Sequence, residues 1–255
     1  MSTLTLANTG GVAVVSFARP PVNTMDAASL EELATTFSRL AAESAVSAAV
    51  LTGEGRVFSA GLDLKAAPNL DLADQRRLIA ALNDCFGTLY AWPKPLVAAV
   101  NGHVIAGGMV AALCTDYRLV ADVKLQASLA EIRVGVRFPV APLQAAIGEL
   151  APAAARRMVL LGETLDAREA VALGVFDELV PPGELSERAV ERAQRLAELP
   201  PKAFAATKRD LRATALARIA AARAGAEPCY AEWLGEEMKA AARAALQGPA
   251  LRRDA

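Results

Sequence analysis

A glycine pair in the middle of the chain, Gly107-Gly108, is the feature of this sequence that most directly suggests chemistry. The pair follows the apolar run Leu96–Val100, which is typical of a buried strand, and precedes small residues typical of a helix. Glycine at such a turn lets a substrate approach the backbone, and the first N–H groups of a helix have no partner within it. The pattern predicts strand, turn and helix, with main-chain donors for an oxyanion. An alternative stays open, in which the glycines only allow close packing.

A second turn of this kind is predicted in the segment Phe58-Ser59-Ala60-Gly61-Leu62-Asp63-Leu64. Two N–H groups that converge on one oxygen would stabilise a developing negative charge, with each donor worth about 3 kcal/mol. Neither turn has the G-x-G-x-x-G pattern of dinucleotide sites or the pattern of a phosphate-binding loop. Ser59 does not lie in a G-x-S-x-G elbow, so a serine hydrolase is disfavoured.

The composition narrows the class of protein. The chain has 255 residues, of which 54% are hydrophobic and 22% charged, and its net charge is −1. These values are typical of a globular protein and give no reason to expect nucleic acid or an anionic membrane as partner. Three dispersed cysteines and one histidine predict neither a disulfide framework nor a metal site. Without a signal-peptide pattern or a membrane-spanning apolar run, we expect a cytoplasmic location.

The elements that must position the two turns follow from hydrophobic periodicity. A hairpin is predicted at Thr3–Ala7 and Val12–Ala18, a helix capped by Asp26 follows, and Ala48–Thr52 is a strand. Strands that alternate with helices up to about residue 120 indicate an α/β core. Asp63 is predicted to cap the helix after its turn. Further helices are predicted at Asp71–Leu89 (with Leu72, Leu78, Leu82, Phe86 and Leu89 roughly on one face), Leu143–Leu150, Ala153–Leu161, Ala167–Leu173, Glu184–Leu199, Pro201–Ala224 and about Glu227–Leu246.

Several segments together resemble the crotonase (enoyl-CoA hydratase/isomerase) superfamily. They are Pro20-Pro21-Val22-Asn23, Val57–Leu64, Asn101-Gly102 with Ala106-Gly107-Gly108, Asp116-Tyr117-Arg118 and Glu131–Gly135. Their order and spacing match from about residue 3 to residue 180. The resemblance implies an α/β fold, a spiral of repeated ββα units with a helical C-terminal region that trimerises. We therefore assign residues 1–195 to a core with an acyl-CoA site and residues 196–255 to a C-terminal helical region.

The resemblance also implies an acyl-CoA thioester as substrate, with no cofactor or metal beyond the coenzyme A that the substrate carries. The family's two oxyanion donors fall on the backbone N–H groups of Leu62 and Gly107, which would stabilise a thioester enolate. The predicted substrate contacts are Ala60, Gly61, Gly108, Val110, Arg19, Lys65 and Phe138, with Arg137 beside the acyl pocket and Lys208 near the phosphates. For the cations, a solvated surface charge is the alternative. A homotrimer, or a hexamer of two trimers, is the expected assembly.

The choice of reaction depends on two positions. Hydratases of this superfamily usually use two glutamates, of which the second matches Glu131 while the first falls on Val110, which cannot activate water. One carboxylate with an oxyanion hole suits the transfer of a proton from carbon 2 of a 3-enoyl-CoA to carbon 4, and an apolar residue would keep water from the dienolate. The sequence resembles the Δ3,Δ2-enoyl-CoA isomerases most. We expect apolar neighbours to raise the pKa of Glu131 towards the working range of a base.

Other interpretations stay open at this stage. They are a hydratase that recruits another carboxylate such as Asp63, a catalytically silent acyl-CoA-binding protein, and a decarboxylase or thioester hydrolase that uses the same oxyanion hole. His103 is expected to be a core or supporting residue. Trp92 and Trp233 are expected in the core or in an interface.

Overall fold

A computed structural model describes residues 2–63, 66, 70–226, 233 and 235–247 of the chain. The strands in these residues are β1 Leu4–Thr9, β2 Val12–Phe17, β3 Thr24–Met25, β4 Ala48–Gly53, β5 Val57–Ser59, β6 Gly61–Leu62, β7 Leu96–Val100, β8 His103–Ile105, β9 Tyr117–Ala121, β10 Ala127–Ser128, β11 Thr164–Leu165 and β12 Glu178–Val180. The α-helices are α1 Ala27–Ala42, α2 Leu72–Tyr90, α3 Gly107–Leu113, α4 Val140–Glu149, α5 Pro152–Ala155, α6 Ala167–Ala172, α7 Leu185–Ala197, α8 Pro201–Leu211, α9 Ala213–Ala221 and α10 Glu236–Gln247.

Two sheets carry the fold. The larger has the strand order β1-β2-β4-β7-β9-β12, in which β1 is antiparallel to β2 and every other neighbouring pair is parallel. The smaller has the order β11-β10-β8-β5, and β3 pairs separately with β6. Strands β4, β7 and β9 of the large sheet are each followed along the chain by a strand of the small sheet, β5, β8 and β10. The expected α/β spiral of repeated units is thereby confirmed.

The core forms because strands β2, β4, β7 and β9 of the large sheet are apolar on both faces, as buried parallel strands usually are. One face packs against α1, α2 and α4, and this layer includes Trp92, whose indole N–H donates to the carbonyl of Phe37. The other face is covered by α7 through Leu185, Ala189 and Ala193. Trp92 therefore lies in the core, as expected.

Helices α1 and α2 each begin with a capping box. The carboxylate of Asp26 accepts from the N–H of Ser29, and that of Asp71 accepts from the N–H of Asp74. Such caps satisfy backbone donors that the helix itself leaves unpaired. The predicted cap at Asp26 is confirmed. The cap of α2 is Asp71, whereas Asp63 lies well before this helix and approaches Arg19 at 3.8 Å.

The structure corrects several predicted elements. The strand that leads directly into the glycine turn is β8 and not β7, so the predicted order of strand, turn and helix is present with one additional short strand after Leu96–Val100. Strands β10, β11 and β12 lie beyond residue 120, and two of them fall within the part predicted to be wholly helical. Strands of two or three residues are too short to show a period in the sequence. The helix predicted at Pro201–Ala224 is interrupted at Arg212, and the last described helix begins at Glu236.

A buried ion network explains the interruption at Arg212. Its guanidinium contacts Asp116 at 3.3 Å and Glu149 at 2.9 Å, and it lies over the ring of Tyr90. Lys208 binds the other oxygen of Asp116 at 2.7 Å and is itself buried. The expectation that Lys208 meets a phosphate is therefore wrong, because its ammonium group is already held by a buried carboxylate.

Within the described residues, no helix is long and apolar enough to cross a membrane.

Gly108 should be essential for stability because α3 packs closely on β5. A Cβ atom at this position would lie 2.5 Å from the carbonyl oxygen of Ser59 and 2.8 Å from its Cβ. We expect Gly108→Ala to lower the free energy of unfolding by about 1–3 kcal/mol, which for a chain of this size corresponds to a fall in melting temperature of several degrees.

The matched control for this prediction is Gly183→Ala, because a Cβ at Gly183 meets no atom within 4 Å. Thermal unfolding of the wild type and both variants gives the comparison. Equal melting temperatures for Gly108→Ala and Gly183→Ala would show that the contact between α3 and β5 is not tight.

Candidate active site

A cavity of about 90 Å³ lies between α2, the start of α3 and a 3-10 turn at Glu131–Val134. Five of the residues predicted to act on a substrate line it: Ala60, Leu62, Gly107, Val110 and Glu131. The rest of the described lining is mostly hydrocarbon and includes Trp233 and Met238 from the C-terminal part of the chain. The polar exceptions among the described side chains are Glu131, Gln75 and the indole of Trp233, which donates to the carbonyl of Arg137 at 2.9 Å.

The two predicted turns meet at one wall of this cavity. Gly61 has a left-handed φ of 76°, and a Cβ placed on it would lie 2.9 Å from the amide nitrogen of Gly107. Glycine is therefore required at residue 61 both for the conformation and for the close approach. A Cβ at Gly107, by contrast, would make only ordinary contacts, 3.4 Å or more from Met25, Gly61 and Phe86. Of the glycine pair, Gly108 serves close packing, and Gly107 faces the cavity.

The two residues that carry the predicted main-chain donors, Leu62 and Gly107, both line the cavity. Gly107 is the first residue of α3, where amides have no partner within the helix. In the pairing of β6 with β3, the N–H of Asp63 donates to the carbonyl of Met25 at 3.0 Å. Because successive amides of an extended chain point to opposite sides, the N–H of Leu62 points away from β3.

Buried polar side chains hold the segment that carries Leu62. The hydroxyl of Ser59 donates to the carbonyl of Asn23 at 2.7 Å and accepts from the N–H of Gly61 at 3.1 Å. The amide of Asn23 donates to the carbonyl of Val57 at 2.8 Å and to that of Glu54 at 3.0 Å. These roles were not predicted from the sequence, although both residues lie in the segments that carried the resemblance.

Ala106 fixes the direction of the Gly107 amide. It has φ 49° and ψ −120°, a backbone conformation that residues with a Cβ rarely adopt and that costs of the order of 1–3 kcal/mol. The conformation is held from both sides: the N–H of Ala106 donates to the carbonyl of Ser128 at 2.8 Å, and its own carbonyl accepts from the N–H of Val110 at 3.0 Å. Positive φ thus falls on the residue before the glycine pair.

Glu131 presents a carboxyl group to the cavity. The residue as a whole is partly exposed, but its Oε2 atom is buried and has no hydrogen-bond partner. Burial raises the pKa of Glu131 from 4.5 to about 8, because the ionised carboxylate loses its hydration, and only a hydrogen bond within the same residue opposes the rise. The predicted direction of this shift agrees with its apolar surroundings.

No second carboxyl group lies beside Glu131 among the described lining residues. Val110 is fully buried in the wall of the cavity. Asp63 does not line this cavity but belongs to a neighbouring cleft, which shares Leu62, Leu70 and Leu78 with it. The described residues also hold no group of three or more ligands that could bind a metal ion.

Other predicted site residues lie around this centre rather than in it. Gly61 and Gly108 support the wall without lining it. Phe138 was expected to contact the substrate, but it is buried in the core. Its neighbours Val136 and Pro139 line the cavity instead. Arg19 contacts Asp26 at 2.6 Å, so its expected contact with a phosphate stays a prediction. Lys65 lies outside the described residues.

His103 has a supporting position, as expected. Its Nδ1 accepts from the N–H of Gln126 at 3.1 Å, which ties β8 to the segment before β10. It does not line the cavity.

Comparisons with known proteins show the family to which the chain is similar. The family model described as enoyl-CoA hydratase/isomerase matches residues 7–240. A putative enoyl-CoA hydratase of Thermus thermophilus is 37% identical over 174 residues, which cover 66% of this chain and 67% of that protein. The 2,3-dehydroadipyl-CoA hydratase of Escherichia coli is 32% identical over 83% of this chain and 82% of its own length. The structure of human mitochondrial delta3-delta2-enoyl-CoA isomerase superposes with a TM-score of 0.88 at 26% identity, covering 96% of this chain and 97% of that one.

The raised pKa of Glu131 predicts a pH-dependent cost in stability. Since the folded protein binds this proton with a pKa of about 8 and the unfolded chain with one near 4.5, the free energy of unfolding contributed by this group falls as pH rises through that interval. Each unit of pKa difference is worth about 1.4 kcal/mol, which sets an upper bound of about 5 kcal/mol. We expect Glu131→Gln to have the same free energy of unfolding as the wild type near pH 4.5. Above about pH 8 the variant should be more stable than the wild type.

Urea unfolding at a series of pH values measures this difference, with Glu187→Gln, a change at an exposed glutamate, as the control. The free energy of unfolding of Glu187→Gln should change with pH in parallel with that of the wild type. A stability difference between Glu131→Gln and wild type that stays constant with pH would contradict the buried, neutral carboxyl.

Proposed function

Because the chain belongs to the enoyl-CoA hydratase/isomerase family, we propose that it is an enoyl-CoA isomerase, which converts a 3-enoyl-CoA to the 2-enoyl-CoA with Glu131 as acid and base. The observation that carries the proposal is one buried carboxyl in a mostly apolar cavity that Leu62 and Gly107 also line. Transfer of one proton between two carbons needs one such group. Addition of water would need a group that activates the water as well.

In the proposed mechanism, the N–H groups of Leu62 and Gly107 donate to the thioester oxygen. The Glu131 carboxylate removes a proton from carbon 2, and the electron pair moves into a dienolate whose negative charge lies on that oxygen. The same carboxyl returns the proton to carbon 4, so the double bond ends between carbons 2 and 3 and nothing else is gained or lost. Donors aligned before the charge develops are usually the largest contribution to such catalysis.

The proposed role of Val110 is to exclude water from the dienolate. Its side chain is fully buried in the wall between the start of α3 and the cavity, where a carboxylate would otherwise hold a water molecule. The reaction needs no metal and no cofactor besides the coenzyme A of the substrate.

Coenzyme A is proposed to occupy the outer cleft, which has a volume of about 240 Å³ and adjoins the cavity at Leu62. Main-chain groups near Ala60 and Leu62 would meet it where the cleft and the cavity adjoin. Arg19 lies beside this cleft, where it contacts Asp26 and Asp63, and its contact with the phosphates is proposed from this position alone.

A hydratase is the second candidate, since several of the relatives are named hydratases. It would need a second acidic group beside Glu131. Asp63 is the carboxylate proposed for that role, but its side chain lies in the outer cleft near Arg19. The geometry therefore favours the isomerase.

Replacement of Glu131 tests the proposal. General acid–base catalysis contributes about 10²- to 10⁴-fold, so Glu131→Gln should lower the rate of conversion of a 3-enoyl-CoA by that factor. The wild type should also exchange deuterium from heavy water into carbon 2, and the variant should not. The exposed-site control Glu187→Gln should keep both activities.

Three outcomes separate the alternatives. An unchanged rate in Glu131→Gln would remove this residue as the base. Rapid addition of water to a 2-enoyl-CoA by the wild type, without isomerisation, would establish the hydratase. Binding of acyl-CoA without any exchange at carbon 2 would indicate a catalytically silent binding protein.

A homotrimer is proposed from an exposed apolar patch, defined here as Ile132, Leu160 and Leu161. Their exposed fractions are 50%, 64% and 51%, and Ile132 lies close to Gly162, the residue that follows Leu161. Exposed aliphatic side chains that cluster in this way are typical of an interface.

We expect a particle about three or six times the 26.6 kDa mass of one chain in sedimentation, and Leu161→Glu should dissociate it because a charge would be buried. The control is Leu6→Glu, at another exposed leucine outside the patch. A monomeric wild type would contradict the proposal.

A further inference from the structure

The cavity has one side that adjoins the outer cleft and one side that does not. The two spaces share Leu62, Leu70 and Leu78, so these three residues mark the mouth between them. Among the described residues, none after Leu78 lines the outer cleft. The later segments that line the cavity therefore border it without reaching the cleft.

One of these later segments leads from the 3-10 turn at Glu131–Val134 into α4. The side chains that it contributes beyond Glu131 are hydrocarbon: Val134, Val136, Pro139 and Pro142. The segment is joined to α2, because the side-chain carbonyl of Asn83 accepts from the N–H of Ala141 at 2.8 Å. This part of the wall is therefore fixed to a helix that itself lines the cavity.

The other segment is the C-terminal helix α10, which packs against the 3-10 turn that carries Glu131. Its residue Met238 lines the cavity and is 4% exposed. Trp233 lines the cavity as well and is held by the hydrogen bond from its indole to the carbonyl of Arg137. An acyl group that extends from the mouth past Glu131 would therefore meet the C-terminal part of the same polypeptide.

The volume of the cavity limits the length of the acyl group that it can hold. About 90 Å³ is room for about six to nine water-sized groups, at 10–15 Å³ each. Leu62 and Gly107 line the same space, so this number includes the thioester carbon. Burial of each methylene in a hydrocarbon lining is favourable until the space is filled, and a longer chain must then displace the wall.

We propose that the acyl group ends against α10, where Met238 sets the limit of its length, and that the preferred substrates carry acyl groups of about six to nine carbons. This inference rests on the proposed function, because it assumes that the acyl group lies in the cavity and coenzyme A in the outer cleft. Methionine is unbranched and fills irregular gaps. Its truncation would therefore lengthen the cavity without removing a structural hydrogen bond.

Passage of the acyl chain beyond α10 into solvent is the alternative. In that case the carbons that emerge would neither gain nor lose affinity, and binding would stay level for long chains. A closed end predicts a different result, because a chain that is too long forces the wall apart. The two alternatives therefore differ in how binding changes once the cavity is full.

Binding of a series of saturated thioesters tests the inference without requiring turnover. The probes are butanoyl-, hexanoyl-, octanoyl-, decanoyl- and dodecanoyl-CoA, measured by titration calorimetry. Up to octanoyl-CoA, each methylene should tighten binding about fourfold, which corresponds to about 0.8 kcal/mol. Dodecanoyl-CoA should bind at least about fivefold more weakly than octanoyl-CoA, because overpacking costs at least that factor.

Substitutions of Met238 should move the chain length that binds most tightly. Met238→Ala should shift it to decanoyl-CoA, because the truncated side chain frees room for about two more carbons. Met238→Phe should shift it to hexanoyl-CoA, and Met238→Leu, of similar volume, should leave it at octanoyl-CoA. The matched control is Met158→Ala, which truncates a buried methionine outside the cavity and should also leave it at octanoyl-CoA.

Two results would overturn the inference. Binding that stays level, or still tightens, from octanoyl- to dodecanoyl-CoA in the wild type would show that the cavity has no closed end. A preferred length that is the same in the wild type and in a folded Met238→Ala or Met238→Phe variant would show that Met238 does not set the limit. The two variants change volume in opposite directions, so either one gives the answer if thermal unfolding shows that the other is not folded.

The outcome is separable from that of the proposed function. Failure to isomerise a 3-enoyl-CoA would overturn the isomerase and leave the dependence of binding on chain length as it is. A preferred length that does not respond to Met238 would overturn the role of α10 and leave the isomerase untouched.

Discussion

The close approach of two backbone segments, at Gly61 and Gly107, is the constraint on which the candidate site depends. The segments belong to successive turns of the spiral, and the contact is possible only because residue 61 has no side chain. Each segment is held from outside the site, the first by Ser59 and Asn23 and the second by strained Ala106 and the carbonyl of Ser128. The rest of the fold keeps Leu62 and Gly107 at one wall of the cavity, with no side chain at residue 61 between the two segments.

The apolar lining of the cavity gives the carboxyl of Glu131 its chemical character. In water a glutamate would be a weak base near neutral pH, but burial raises its pKa to about 8. The same lack of polar neighbours costs stability when the group ionises, because no partner compensates its charge. Strongly shifted pKa values of this kind are found more often at functional sites than elsewhere in a protein. The contrast within this protein is Glu149, whose carboxylate is held by Arg118 and Arg212.

The family, the α/β spiral and five of the residues that line the cavity could be predicted from the sequence, because the motifs that carry them are local. Glycine turns, caps such as Asp26 and apolar strands are fixed by neighbouring residues. Features that depend on tertiary contact were not accessible. Positive φ at Ala106 is one, because alanine does not favour it and only the surrounding hydrogen bonds impose it. The short strands β10 to β12 are another, because partner strands distant in sequence define them.

Helix α2 illustrates the same limit within a single element. The periodicity placed Leu72 on the buried face, but this residue is 43% exposed, and Gln75 lies on the face that lines the cavity. Gln75 is three residues before Leu78, so the spacing was available, but a polar residue gave no hydrophobic signal. Phe138 was misplaced in the opposite way, since an aromatic side chain suits a core as well as a pocket.

The central claim is that main-chain amides polarise the thioester carbonyl of the bound substrate. Isotope-edited infrared spectroscopy measures this directly, with a 3-enoyl-CoA labelled with ¹³C at the thioester carbonyl and bound to Glu131→Gln, which should hold it without turnover. Donation from Leu62 and Gly107 predicts a carbonyl stretching frequency clearly below that of the same thioester in water. A frequency equal to or above the value in water would contradict the account, because the two amides would then not be holding the oxygen.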